Sequence, residues 1–123
     1  MNIVVRTVLV SFELASKRCK ILIDAHYNLL SEIITKKHKS VEGACRVSIE
    51  SVLKTSADWM PVRFLFFDKD GLDLYIYYGV LVPEDIVIKD SNFLWTNIND
   101  ITQKEEVDDH VKEAIWSAIR KIK

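Results

Sequence analysis

The sequence predicts a single α+β domain, and three features carry that prediction. The stretch 3–12 (IVVRTVLVSF) is dense in β-branched residues, 62–82 holds two aromatic-rich apolar runs around an acidic glycine turn, and two further segments, within 40–54 and 102–123, repeat apolar residues at helical spacing. The expected element order is β, β, α, β, β, β, α within one α+β domain. The 123 residues suit one domain that buries roughly two thirds of the surface of the unfolded chain. Residues 1–123 hold no repeat, low-complexity tract or Pro/Gly/Ser linker that would divide them.

Taken in order, Ile3 to Phe12 is expected as a strand, and Cys19 to Tyr27 (CKILIDAHY) as a second, joined to the first by the polar link ASKRC as a hairpin. The stretch NLLSEIITKKHK that follows is irregular. In SVEGACRVSIESVLK, Ser40 to Lys54, the residues Val41, Cys45, Ser48, Ile49 and Val52 recur at helical spacing, with Ser40 as N-cap and Glu42 near the positive end of the helix dipole. Pro61 marks that helix as finished. Val62 to Phe67, the turn Asp68 to Gly71, and Leu72 to Val82 give the strongest hairpin signal, and a short strand is expected at Ile86 to Lys89. The last helix is expected to start at Thr102, where Glu105 completes a capping box, and to bury Val107, Val111, Ala114, Ile115, Ala118, Ile119 and Ile122 along one stripe.

Bulk properties remove several classes of function. A formal net charge of -1, from 17 basic and 18 acidic residues, gives no strong nucleic-acid signal and no attraction to an anionic membrane. No segment is long and apolar enough to cross a bilayer, and Arg6 interrupts the N-terminal apolar run where a signal peptide would be continuous. Cys19 and Cys45 have no CxxC or zinc-ligand spacing, so a reducing, cytoplasmic setting is expected. His26, His38 and His110 are scattered, with no Ser-His-Asp or Cys-His arrangement among them.

Angular position on the helix within 40–54 separates its faces. Val41, Cys45, Ser48 and Val52 form a core stripe with Ala44 and Ile49 at its margins, while Glu42, Arg46 and Glu50 at i, i+4, i+8 are placed for a ladder of ion pairs. Val47 is the misfit, since it lies roughly 140 degrees from the core stripe, where solubility alone would select a polar residue.

Here the chain resembles the Nudix hydrolases, whose signature helix carries A-x-R-E-U-x-E-E, with U apolar. Ala44, Cys45, Arg46, Val47, Ser48, Ile49, Glu50 and Ser51 fall on that pattern, and Phe93 to Ile101 (FLWTNINDI) is similar to the tryptophan strand and short acidic turn before the family's last helix. The resemblance implies a Nudix-like mixed β-sheet with a Nudix-type helix and a C-terminal amphipathic helix packed on it. It also implies a divalent metal held by three carboxylates, whose positions here are Val47, Glu50 and Ser51. One carboxylate of three is a poor set for a hard cation that takes oxygen ligands. The family's glycine-rich approach is missing too, with His38 at its glutamate position and Leu53 at its helix-ending glycine.

Three functions follow. The first is a Nudix-fold module, expected to be non-hydrolytic, binding a nucleotide, RNA or a protein partner, with Arg46 and Arg63 as phosphate contacts, Trp95 as a stacking surface, and no cofactor expected. The alternative is a divergent metal-dependent nucleoside-diphosphate hydrolase, with Glu50 catalytic and Mg or Mn held by Glu50 and Glu42, aided by Glu32, His38, Asp68, Asp70 or the cluster Glu105, Glu106, Asp108, Asp109. A second alternative is an unrelated α+β assembly domain, a possible homodimer through its aromatic hairpin, which requires Tyr75, Tyr77 and Tyr78 to be exposed together. The bland readings are a solvated ladder for Arg46 and Glu50, a core position for Trp95 and a solvent-facing strand position for Arg63.

Overall fold

The computed structural model describes residues 1–13 and 18–122. In chain order the elements are β1 (Ile3–Glu13), β2 (Arg18–Asp24), β3 (Leu30–Ile33), α1 (Val41–Val52), β4 (Arg63–Asp70), β5 (Asp73–Leu81), β6 (Phe93–Asn97), α2 (Ile98–Thr102) and α3 (Asp109–Ile122). Strands β4-β5-β1-β2-β6 lie side by side in that order, and β3 also pairs with β1. The β1–β5 pairing is parallel and the others are antiparallel, so the sheet is mixed.

Alternation along β1 explains the layering, because successive side chains point to opposite faces. Val5 and Leu9 pack with α1, joined by Tyr78 and Val80 of β5 and Leu22 of β2. Val8 and Val10 pack with α3, joined by Tyr77, Ile21 and Ile23. Both faces are therefore covered, and Tyr77 and Tyr78 are buried rather than gathered into an exposed patch. The hairpin's tyrosine content reports a sheet sandwiched between helices. No helix of the described residues is long and apolar enough to cross a membrane.

Several expectations are corrected. β3 forms within the stretch read as irregular, and the segment expected as a strand at Ile86 to Lys89 makes only an isolated bridge, Leu53 to Ile88. β2 stops at Asp24, three residues before Tyr27, which takes a positive φ of 61° in a turn. The central hairpin turns later than expected, at Gly71–Leu72, with Asp70 opposite Asp73 and Gly71 at φ 62°. The capping box at Thr102 does not form: Thr102 ends α2 and donates to the Ile98 carbonyl at 3.0 Å. The longer helix starts seven residues later, where Asp108 Oδ1 accepts from His110 N at 2.8 Å. The apolar stripe was independent of that start, and Val107, Val111, Ala114, Ile115, Ala118 and Ile119 are all buried, while Ile122, in the last turn, is only partly so. Residues 14–17, in the expected link between the first two strands, lie outside the described residues, while β1 and β2 are antiparallel neighbours.

Candidate functional site

One edge of β1 is shared by two partners. Val10 to Glu13 pair with β2, whereas Val4 to Thr7 pair with β3. The chain crosses between them in a turn set by Asp24, whose Oδ1 accepts from His26 N at 2.8 Å and from Asn28 N at 2.9 Å. A cavity of about 280 Å3 lies beside this turn, lined in part by Arg6, His26, Asn28, Ser31, Glu106 and Asp108.

Arg6 is the fixed feature of that cavity. Its guanidinium lies 4.2 Å from the Tyr75 ring centroid, and Nη1 donates to the Tyr77 hydroxyl at 3.0 Å. Burial pushes the Tyr77 hydroxyl above its ordinary value, against the opposing pull of Arg6, so it stays a neutral acceptor for the arginine. A second cavity of about 210 Å3 is lined by Ser31, Ser48, Ser51, Asp90 and Phe93, among others. Ser31 lines both cavities, which lie on opposite faces of the sheet at β3.

On α1, the side chains at the outer positions are turned to local uses. Val47 is 42% exposed, and the exposed Ser51 donates to the Ser48 carbonyl at 2.6 Å. Glu50 Oε2 accepts from Ala57 N at 2.8 Å, and Arg46 Nη2 donates to the Met60 carbonyl at 3.1 Å. The ladder expected among Glu42, Arg46 and Glu50 is therefore replaced by two contacts with the segment after the helix. Length explains it: both side chains reach the buried turn at Ala57 and Met60, whose backbone groups would otherwise lack partners.

No family model matches the sequence, and no curated protein matches it. Solved structures do match. Shewanella oneidensis NrtR superposes with a TM-score of 0.77 at 16% identity over 98% of this chain, which spans 62% of the NrtR chain. The NUDIX domain of the same protein, complexed with ADP ribose, gives 0.74 at 17% identity over 98% of this chain and 88% of that one. A mutT/nudix family protein from Listeria innocua gives 0.75 at 12% identity, covering 98% of this chain and 95% of its own. The fold is Nudix-like.

The side chains of α1, the helix on which the resemblance places the metal ligands, do not fit a divalent metal. Glu50 is the one carboxylate at the three ligand positions, and one of its oxygens is bonded to the Ala57 amide. The branched alkyl group of Val47 offers no lone pair. Ser51 offers only a neutral oxygen. Among the described residues, no three His, Cys, Asp or Glu side chains converge as a metal site.

The remaining sequence candidates are dispersed. His38, with a side chain 3% exposed, places Nε2 3.4 Å from Glu32 Oε1, close enough for an ion pair but without hydrogen-bond alignment. Its Nδ1 accepts from Thr35 N at 2.9 Å, so the loop before α1 is closed on itself. Asp68 meets His110 at 2.9 Å, joining β4 to the start of α3, and Asp70 lies at the end of the hairpin. Arg63 is on β4 and Trp95 on β6, at opposite ends of the β4-β5-β1-β2-β6 order, so they do not share one site. Trp95 is half-buried against the α1-side core, its Nε1 buried without a hydrogen-bond partner. Glu42 is exposed in the first turn of α1, as are Glu105 and Asp109 near the start of α3, while Glu106 and Asp108 line the Arg6 cavity.

Arg6, Ser31 and Asp90 were not picked out by sequence as site residues. Arg6 carried a signal, an arginine inside an apolar strand between Val5 and Thr7. Ser31 and Asp90 carried none, because nothing local distinguishes a lining serine or aspartate from any other surface one.

Proposed function

We propose that this chain is a non-hydrolytic Nudix-fold binding module that holds a nucleoside base in the Arg6 cavity beside β3. The observation that carries this reading is the engagement of Glu50 by the Ala57 amide, beside a valine and a serine where metal ligands would be required. A helix face holding its only carboxylate in a structural bond favours recognition over hydrolysis.

The ligand class rests on the Arg6 cavity. A guanidinium held flat over Tyr75, with one nitrogen on Tyr77, keeps further N–H donors for the carbonyl or ring nitrogen of a base. Glu106 and Asp108 supply acceptors for its amino groups. The ADP ribose complex of the NrtR NUDIX domain supports a nucleotide as the first class to test, and NrtR has also been solved with a 27mer DNA. A net charge of -1 favours a single nucleotide over a polyanion. Cys45, a buried thiol, suits the reducing, cytoplasmic setting that is part of the same proposal.

The experiment is a panel of nucleosides, nucleotides and nucleoside diphosphate derivatives, with and without magnesium or manganese. A rise in melting temperature that needs no metal, without release of a monophosphate, is the expected result, and Arg6→Ala should abolish the rise. Metal-dependent turnover that disappears in Glu50→Gln would establish the hydrolase instead.

A further inference from the structure

The cavity lined by Ser31, Ser48, Ser51, Asp90 and Phe93 has an unbalanced inventory of hydrogen-bonding groups. Ser48, 2% exposed, donates its proton to the Cys45 carbonyl at 2.7 Å, and Ser51 donates to the Ser48 carbonyl at 2.6 Å. A hydroxyl has one proton; the Ser48 oxygen already lies 3.3 Å from Thr7 Oγ1, so the Ser51 oxygen is the one left as an acceptor. Asp90 Oδ1 accepts from Asn92 N at 3.0 Å, and no described residue hydrogen-bonds to Oδ2. The Lys89 and Asp90 amides donate to the Val52 carbonyl at 2.8 and 3.3 Å, which straps Asp90 to the C-terminal end of α1. That end is the negative pole of the helix dipole, and α1 has no basic residue in its last turn. Phe93 adds an aromatic ring to the lining. Every one of these terms attracts a cation that donates hydrogen bonds, and the same terms repel phosphate.

We propose that this cavity binds a primary organic ammonium group. A divalent metal would find Asp90 as the one carboxylate in the lining. A guanidinium fork asks for both oxygens of a carboxylate, and one is already bonded to Asn92. An ammonium presents three donors from a single point, of which Asp90 Oδ2 and the Ser51 hydroxyl oxygen can take two while the third stays in water. The volume of about 210 Å3 is below the usual range for a drug-sized ligand and admits an ammonium with a few methylenes. A free alkylamine and a lysine side chain present the same group. The proposal does not depend on what fills the Arg6 cavity.

The test is an NMR titration of the isotopically labelled protein near neutral pH with n-butylammonium chloride and, separately, with a terminally blocked lysine tripeptide. Both are expected to move the amide signals of Ser31, Ser51 and Asp90 saturably, while n-butanol leaves them in place. Asp90→Asn retains an acceptor for the Asn92 amide and should weaken binding by about tenfold or more. Should that variant fail to fold, Ser51→Ala at its exposed position provides the second reading and should weaken binding several-fold. Tighter binding of the tripeptide assigns the site to a partner's lysine, and tighter binding of butylammonium assigns it to a free amine. No movement with either amine, equal movement with n-butanol, unchanged affinity in the folded variants, or displacement by submillimolar magnesium overturns the proposal.

Discussion

Gly79 shows how little slack separates the sheet from α3. A Cβ at that position would lie 3.2 Å from Ala118 Cβ, which has no torsion to withdraw by, and 3.3 Å from Leu65 Cδ2, whose side chain is buried. Gly79→Ala is expected to destabilise by about 1 to 3 kcal/mol, read from the urea midpoint. An unchanged midpoint would mean that α3 moves away freely. Cys45 gives a pH-dependent counterpart on the other face. Burial pushes its thiol from 9.0 to about 11, against the lowering effect of the Thr7 hydroxyl 3.2 Å away. Below the unfolded value both states hold the proton and stability is unaffected. Between the two values the unfolded chain loses it first, so stability falls as pH rises, by roughly 2 to 3 kcal/mol across the interval. Urea midpoints from pH 9 to about 11 should therefore drop, and Cys45→Ala should remove part of the slope. Tyr77 and Tyr78, also raised chiefly by burial, supply a decline of the same sign that remains in the variant.

At the scale of elements, α1 is joined to the turn that follows it by the two residues that most resemble catalytic machinery. Glu50→Ala would leave the buried Ala57 amide without its acceptor and should cost about 1 to 3 kcal/mol, whereas Glu50→Gln keeps an oxygen in place and should cost less than half as much. Equal losses in denaturant melts would mean that the charge matters rather than the bond. Periodicity made α1 legible within a residue or two, and it identified the buried stripe of α3 even though the capping signal at Thr102 was misleading. Serine, threonine and acids cap helices wherever they fall, so Thr102 with Glu105 and Asp108 with Asp109 compete on equal local terms. Tertiary packing of Ile101 and Val107 decides between them. β3 escaped because four residues, Leu30 to Ile33, are too few for alternation to register, and its existence depends on β1 offering a free edge. Both cavities inherit that blindness, since each is lined by residues brought together only when β3 docks.

Across the whole molecule, the sheet leaves β4 as an edge, with Phe64 46% and Phe67 68% exposed along it. Such an edge invites pairing with a second chain, and lysine is a common guard against it. Lys121 of α3 reaches the edge: Nζ donates to the Phe64 carbonyl at 2.8 Å and to the Leu65 carbonyl at 3.2 Å, and lies 5.6 Å from the Phe64 ring centroid. The β-bulge between Phe64 and Phe66 lies at the same place, so an irregular backbone and a bound ammonium coincide on the residues a partner strand would need. Removing the guard should expose two carbonyls beside two phenylalanines. Lys121→Ala is therefore expected to shift sedimentation velocity towards larger species as concentration rises, relative to the parent chain. Lys121→Arg, which can still donate to both carbonyls, should sediment like the parent. If the alanine variant also behaves like the parent at every concentration, the bulge alone is sufficient to keep the edge from pairing, and Lys121 serves only to hold α3 against β4.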